Sequence, residues 1–289
     1  MSPAPLYKTT ATDLPPALSY DPGLIHDLDR GASVPDLGLR GAPALVFQPA
    51  VDLGTGQLLG FEALLRWHSG DTTMTPDTLI PWAEDHGQMD ALNAWVLSAA
   101  CTEAARWKAA LQLAVNCSIF QLRRGEVTKA AAAALEKTGL NPDRLTVEVT
   151  ETSVTDENAV ADLHGMTRLG VQLTVDDIGR DWSVLENLRE KAVNTIKIDA
   201  ELVAGLTAPG GRSRTVVETI VKLSRSLGVC TVAEAVETAE QVAILRELGA
   251  DAAQGYFFAA PMSADEACAL TSMRPLPHFA LSLPPLPGS

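Results

Sequence analysis

Apolar, β-branched runs alternate with helix-like stretches along most of this 289-residue chain, and nearly every run ends on a polar side chain. The end positions are Glu62, Asn116, Glu148, Asp176 with Asp177, Lys197, Glu234 and Gln254. Strands joined through helices run parallel. In a closed barrel of such units the strand ends share one mouth. The carboxylates, the amides and the lysine ammonium would then converge on one pocket. Carboxylates crowd together only where strong positive charge holds them, and divalent cations are the natural candidates.

The strand candidates are 44–53, 57–67, 111–119, 145–150, 171–177, 195–200, 229–236 and 252–258. Helical patterns fall at 76–86, 92–110, 126–138, 157–169, 184–191, 212–227, 239–248 and 264–272. Gly139, Gly170, Gly228 and Gly249 each close a helical run just before the next strand. Thr238 and Gln241 have the spacing of a capping box. Gly54-Thr55-Gly56 joins the first two strands so tightly that they read as a hairpin. The expected fold is therefore α/β, a (β/α)8 TIM-like barrel with the first strand antiparallel. An open doubly wound sheet is the rival, and it would spread the polar residues along a crevice.

Alternation sharpens the expectation. In the run 145–150, Leu145, Val147 and Val149 share one face, while Thr146, Glu148 and Thr150 share the other. The apolar face should meet helices and the polar face should look into the barrel. Taken singly, each site has a plainer reading. Asp176-Asp177 alone is most often a turn or cap, Glu62 could simply pair with Arg66, and Gln254 before Gly255 could satisfy a turn. Their joint appearance on successive strands carries the argument.

The barrel is expected to occupy residues 43–273, after an irregular N-terminal arm (1–42) and before a Pro-rich tail (274–289). A net charge of −14 argues against a broad surface for a nucleic acid polymer or anionic lipid. A small phosphorylated ligand stays compatible, because metal ions invert the local field. Cys101, Cys117, Cys230 and Cys268 are scattered, which suggests reduced thiols rather than a disulfide framework or zinc site. Cys117 adjoins Asn116 and reads as a small buried residue. No apolar run reaches the length of a membrane span. The expected setting is the cytoplasm, with no membrane partner. No P-loop, GxSxG elbow or Gly-rich dinucleotide motif is present.

The run Phe47-Gln48-Pro49, then Phe61-Glu62-Ala63-Leu64-Leu65-Arg66-Trp67, resembles the start of an EAL domain, the bacterial cyclic di-GMP phosphodiesterase family. Val115-Asn116-Cys117-Ser118, Glu148-Val149-Thr150-Glu151, Asp176-Asp177, Lys197-Ile198-Asp199, Ala233-Glu234-Ala235-Val236-Glu237 and Gln254-Gly255-Tyr256 follow in the family's order. The resemblance implies two Mg²⁺ or Mn²⁺ ions at the mouth and hydrolysis of cyclic di-GMP to linear pGpG. It assigns Glu62, Asn116, Glu148 and Asp176 to one ion, and Asp176, Asp177 and Glu234 to the other. It gives Lys197, Glu234 and Gln254 catalytic duties around the attacking water. Gln48, Arg66 and Glu237 would contact the ligand, and Glu151 would brace the loop after Asp177. It also implies a homodimer.

Phosphodiester chemistry suits these residue types, since paired dications neutralise the phosphate and acidify a water. Oxygen donors favour Mg²⁺ or Mn²⁺ over Zn²⁺. The chain departs from the family where DDFGTGYSSL is usual, reading Asp176-Asp177-Ile178-Gly179-Arg180-Asp181-Trp182-Ser183-Val184-Leu185 instead. Ala235 also stands where the family usually has Gly. Three functions follow as alternatives: a phosphodiesterase, a cyclic di-GMP receptor without turnover, and a protein-interaction module. Residues alone would also admit a metal-assisted enolase-type barrel, although such enzymes carry a capping domain larger than the arm here.

Overall fold

The computed structural model describes residues 41–69, 72–178, 193–273 and 279. Strands β1 (Ala42–Asp52) and β2 (Leu58–Ser69) form the expected hairpin. Its turn is held by Asp52, whose carboxylate accepts from the Thr55 amide at 2.6 Å and the Thr55 hydroxyl at 2.8 Å. Such side-chain mimicry of a backbone turn is why Asp suits this position.

A short β3 (Thr72–Met74) flanks β2. The chain then adds β4 (Gln112–Asn116), β5 (Leu145–Thr150), β6 (Gln172–Ile178), β7 (Thr195–Ile198), β8 (Cys230–Ala233) and β9 (Ala252–Gln254). From β2 and β4 to β9 each strand runs parallel to the next. β1 closes the ring between β2 and β9, antiparallel to both. Eight strands thus make a closed barrel with the first reversed, and the open-sheet rival is excluded.

The helices among the described residues are α1 (Pro76–Asp85), α2 (Met89–Arg106), α3 (Ile119–Leu122), α4 (Val127–Thr138), α5 (Glu151–Thr155), α6 (Glu157–Leu169), α7 (Ala200–Ala204), α8 (Arg212–Leu227), α9 (Ala239–Leu248) and α10 (Ala264–Ser272). The helix expected at 184–191 lies outside the described residues, as do most of the arm and tail. Gly139, Gly170, Gly228 and Gly249 end α4, α6, α8 and α9 in the left-handed conformation. Thr238 and Gln241 form the capping box that starts α9.

Alternation sorts the strand side chains as the sequence implies. Leu145, Val147 and Val149 are buried in the apolar layer between strands and helices. On β1 and β2, Phe47 and Phe61 turn outward against Trp107, with ring centroids 6.2 and 5.2 Å away. Burying an aromatic side chain of this size stabilises by roughly 2–3 kcal/mol. The intervening Gln48 and Glu62, opposite each other in register, therefore face inward.

Several expected strands overran their true ends. β4 stops at Asn116 because Ser118 and Gln121 form a capping box that opens α3. β8 stops at Ala233, because Ala235 adopts φ 48°, a left-handed backbone no strand accommodates. β9 stops at Gln254, where Gly255 turns with φ 154°. At Gly255 a side chain would meet the Val236 backbone N and O at 2.2 Å. That close approach lets Val236 N donate to Gln254 O and Phe257 N donate to Val236 O, at 3.0 and 2.9 Å. In the tail, Phe279 N donates to Gly56 O at 2.9 Å and its ring meets Phe258 edge-on at 6.2 Å.

Candidate active site at the barrel mouth

Parallel register places the polar strand ends on adjacent rungs. Asn116 pairs with Glu148, Glu148 with Thr174, and Thr150 with Asp176. The β6–β7 pairing slips between Val175 and Ile178, so Asp176 and Asp177 occupy an irregularity. Bulges of this kind commonly re-aim strand residues beside active sites. Glu234 lies one residue past β8, where its amide still donates to Ile198 O at 3.2 Å.

These elements bring Glu62, Glu148, Asp176 and Glu234 around one ammonium. Lys197 Nζ lies 3.1 Å from Glu62 Oε2, 3.0 Å from Glu148 Oε2, 2.6 Å from Glu234 Oε1 and 3.8 Å from Asp176 Oδ1. The lysine side chain is 2 % exposed. Two amides complete the ring. Gln254 donates to Glu62 Oε2 at 2.6 Å, and Asn116 donates to Glu62 Oε1.

The electrostatics follow from one ammonium among four carboxyl groups. Burial opposes the Glu62 charge, but Lys197 with the Gln254 and Asn116 amides holds that carboxyl below its usual range. Burial, reinforced by the neighbouring Glu62 charge, drives Glu148 well above the carboxylate range. Burial likewise pushes Glu234 up to about 8, against the pull of Lys197. Burial opposes the Lys197 charge as well, yet Asp176, Glu148, Glu234 and Glu62 together hold it well above a normal lysine.

Of the other expected site residues, two reach the adjoining cavity of about 380 Å³, and Arg66 and Glu151 are not among its lining residues. Gln48 and Glu237 line it, and Gln48 also reaches Ala259 O at 3.5 Å. Arg66 is four residues beyond Glu62 on the same strand face; its guanidinium donates to Leu65 O at 2.8 Å. Burial lowers the Arg66 pKa, while Tyr256, Glu62 and Asp77 act in the opposite sense. Glu151 is buried at the start of α5, a helix the sequence reading did not anticipate. The loop it would brace, residues 179–192, lies outside the described residues, and so does the Asp177 side chain.

Sequence reasoning gave no role to Tyr256, Leu64 or Ala200, which also line the cavity. Tyr256 is 51 % exposed at its rim. Sequence shows only its place directly after Gln254-Gly255, because the approach of Gly255 to Val236 that sets this rim is visible only in three dimensions.

The donor set fits hard dications. Its atoms are carboxylate and amide oxygens, and one lysine leaves the carboxylates under-compensated. Among the described residues, no three acidic, His or Cys side chains stand as a ready-made ligand sphere. The oxygens close instead on the Lys197 ammonium. No helix among the described residues is long and apolar enough to cross a membrane.

Comparison with known proteins agrees with this architecture. The EAL domain family model matches residues 37–261. The cyclic di-GMP phosphodiesterase NbdA of Pseudomonas aeruginosa is 34 % identical over 225 residues, 75 % of this chain and 29 % of NbdA. The bifunctional diguanylate cyclase/cyclic di-GMP phosphodiesterase MucR of the same organism is 33 % identical over 250 residues, 84 % of this chain and 36 % of MucR. The chain spans about a third of the length of the curated relatives it matches. Among solved structures, the PaMucR phosphodiesterase in complex with c-di-GMP superposes with a TM-score of 0.74 at 34 % identity, covering 84 % of this chain and 99 % of that one. The barrel with its reversed first strand, the ordered motifs and these matches place the chain in the EAL domain family.

Proposed function

We propose that the barrel mouth is the active site of a divalent-metal-dependent phosphodiesterase that hydrolyses cyclic di-GMP to linear pGpG. The observation that supports it is the ring of Glu62, Glu148, Asp176 and Glu234 around Lys197, of which Glu62 and Glu234 line a cavity together with Gln48 and Gln254. Glu62, Asn116, Glu148 and Asp176 would hold one ion; Asp176, Asp177 and Glu234 would hold the second. Bound dications supply charge neutralisation at the phosphate and a more acidic water.

The chain's own residues do the rest. Lys197 steadies negative charge on the phosphate and orients the attacking water. Gln254, fixed by the backbone ties through Val236, helps position that water. Glu234 protrudes past its strand end, where it can take a proton from it. Gln48, Arg66 and Glu237 would hold the dinucleotide, with its reacting phosphate over the ring.

The changed residues between Ile178 and Leu185 favour a second reading, in which the site binds cyclic di-GMP without opening it. Calorimetry with cyclic di-GMP, followed by chromatography of the same mixture with Mg²⁺ or Mn²⁺, separates the two. The enzyme reading expects binding and pGpG. Binding with no product from folded protein would leave the receptor reading, and no binding would defeat both.

A further inference from the structure

The geometry points to Lys197 as the resident counter-ion of the metal-free site, released for work on the substrate only when dications take over its carboxylates. This rests on the metal-dependent reading above and adds an order of events to it. A lysine ammonium has three N–H donors and no acceptor. Here it donates to Glu62 at 3.1 Å and Glu148 at 3.0 Å, and it forms a third ion pair with Glu234 at 2.6 Å. Asp176, at 3.8 Å, adds charge beyond hydrogen-bond distance. The side chain is almost fully buried among these carboxyl groups, so the ammonium is closed off from water and from a phosphate oxygen.

The same oxygens are those that would ligate metal. The ammonium and a dication therefore compete for one set of donors. Removing the ammonium from an ion-free site would leave buried, unpaired carboxylates, a strongly unfavourable state. A dication bound to those carboxylates removes that penalty and frees Lys197 donors to turn toward the ligand. The lysine thus keeps the rim assembled before metal arrives and lowers the apparent metal affinity by occupying its place. Its later contact with phosphate is conditional on metal.

The full chain, freed of metal with a chelator and dialysed, is titrated with Mn²⁺ by calorimetry as wild type and as Lys197→Met. Methionine keeps similar length without the charge. The proposal expects Lys197→Met to bind Mn²⁺ at least about 10-fold more tightly, about 1.4 kcal/mol, while its metal-free form melts at a lower temperature than wild type. Equal or weaker Mn²⁺ binding by folded Lys197→Met would overturn the proposal while leaving the metal site standing. No Mn²⁺ binding by either folded protein would overturn the metal-dependent reading along with it.

Should Lys197→Met not fold without metal, the wild type gives an independent answer. In protein labelled with ¹⁵N-lysine, the Lys197 ammonium should appear as a slowly exchanging signal without metal. Mg²⁺ should shift it and speed its exchange with water. A signal unmoved at saturating Mg²⁺ would contradict the release step.

Discussion

Glu234 Oε1 sits 2.6 Å from Lys197 Nζ, the shortest ion pair in the ring, yet its carboxyl is pushed up to about 8. Burial and the neighbouring carboxylates outweigh the lysine. A carboxyl whose pKa is higher folded than unfolded contributes stability that is complete below its unfolded value and is lost as pH rises through the folded value. Glu148 is raised in the same sense. Lys197, raised above a normal lysine, stays charged throughout that window. The metal-free protein is therefore expected to lose thermal stability steadily between about pH 4.5 and pH 8. Mn²⁺ should reverse the loss at pH 8. Melting curves with and without chelator check both statements, and flat or rising stability across that range without metal would contradict them.

Much of this ring was legible because strand alternation is strict. Glu148 between Val147 and Val149, and Lys197 between Ile196 and Ile198, could only face away from the helices. The closing glycines and the Thr238 cap were readable for the same local reason. What local pattern cannot show is which groups pair across the barrel. Lys197 and Glu62 are 135 residues apart, and nothing in sequence says that three glutamates meet at one lysine. Helix α5 and strand β3 escaped notice because each is too short to develop a period. The early ends of β8 and β9 escaped because they depend on the mutual approach of Gly255 and Val236.

Asp176→Asn should lower turnover by about 100-fold or more, since that carboxylate would serve both ions. It sits at the mouth and is partly exposed, so folding should be unaffected. Steady-state kinetics beside a melting curve give the answer; near-normal turnover would show that Asp176 is misassigned.

Ala235 holds φ 48°, the only positive φ among the described residues other than glycine. A left-handed backbone costs a side-chain-bearing residue about 1–2 kcal/mol. Ala235→Gly should therefore raise the melting temperature by about 2–4 °C for each kcal/mol relieved. Because the Ala235 Cβ lines the cavity without offering a polar group, turnover should hold. A lower melting temperature would contradict the strain.

Gly255→Ala should do the opposite. Its Cβ would press on the Val236 backbone at 2.2 Å, forcing apart the segments that fix Gln254. We expect a loss of about 2–3 kcal/mol in stability, together with weaker cyclic di-GMP binding. Denaturant unfolding and calorimetry measure the two effects separately.

The thiols should divide cleanly in a labelling experiment. Cys101 is buried, and burial pushes its thiol up to about 12; Cys117 is buried and raised further. Only the thiolate reacts. At pH 7.5 a maleimide should modify the exposed Cys230 first and the partly buried Cys268 more slowly, leaving Cys101 and Cys117 until the protein unfolds. Peptide mapping identifies the sites, and early labelling of Cys117 would contradict the packing beside Asn116.

On the proposed reading, carboxylates gathered around Lys197 become a catalyst when dications join them. The most direct measurement is conversion of cyclic di-GMP by the purified full chain, followed by mass spectrometry, first in chelator and then after Mn²⁺ or Mg²⁺ is restored. No conversion is expected in chelator and, with metal, a single product heavier by one water, linear pGpG. Equal conversion in both conditions, or none with metal present and the protein demonstrably folded, would contradict it.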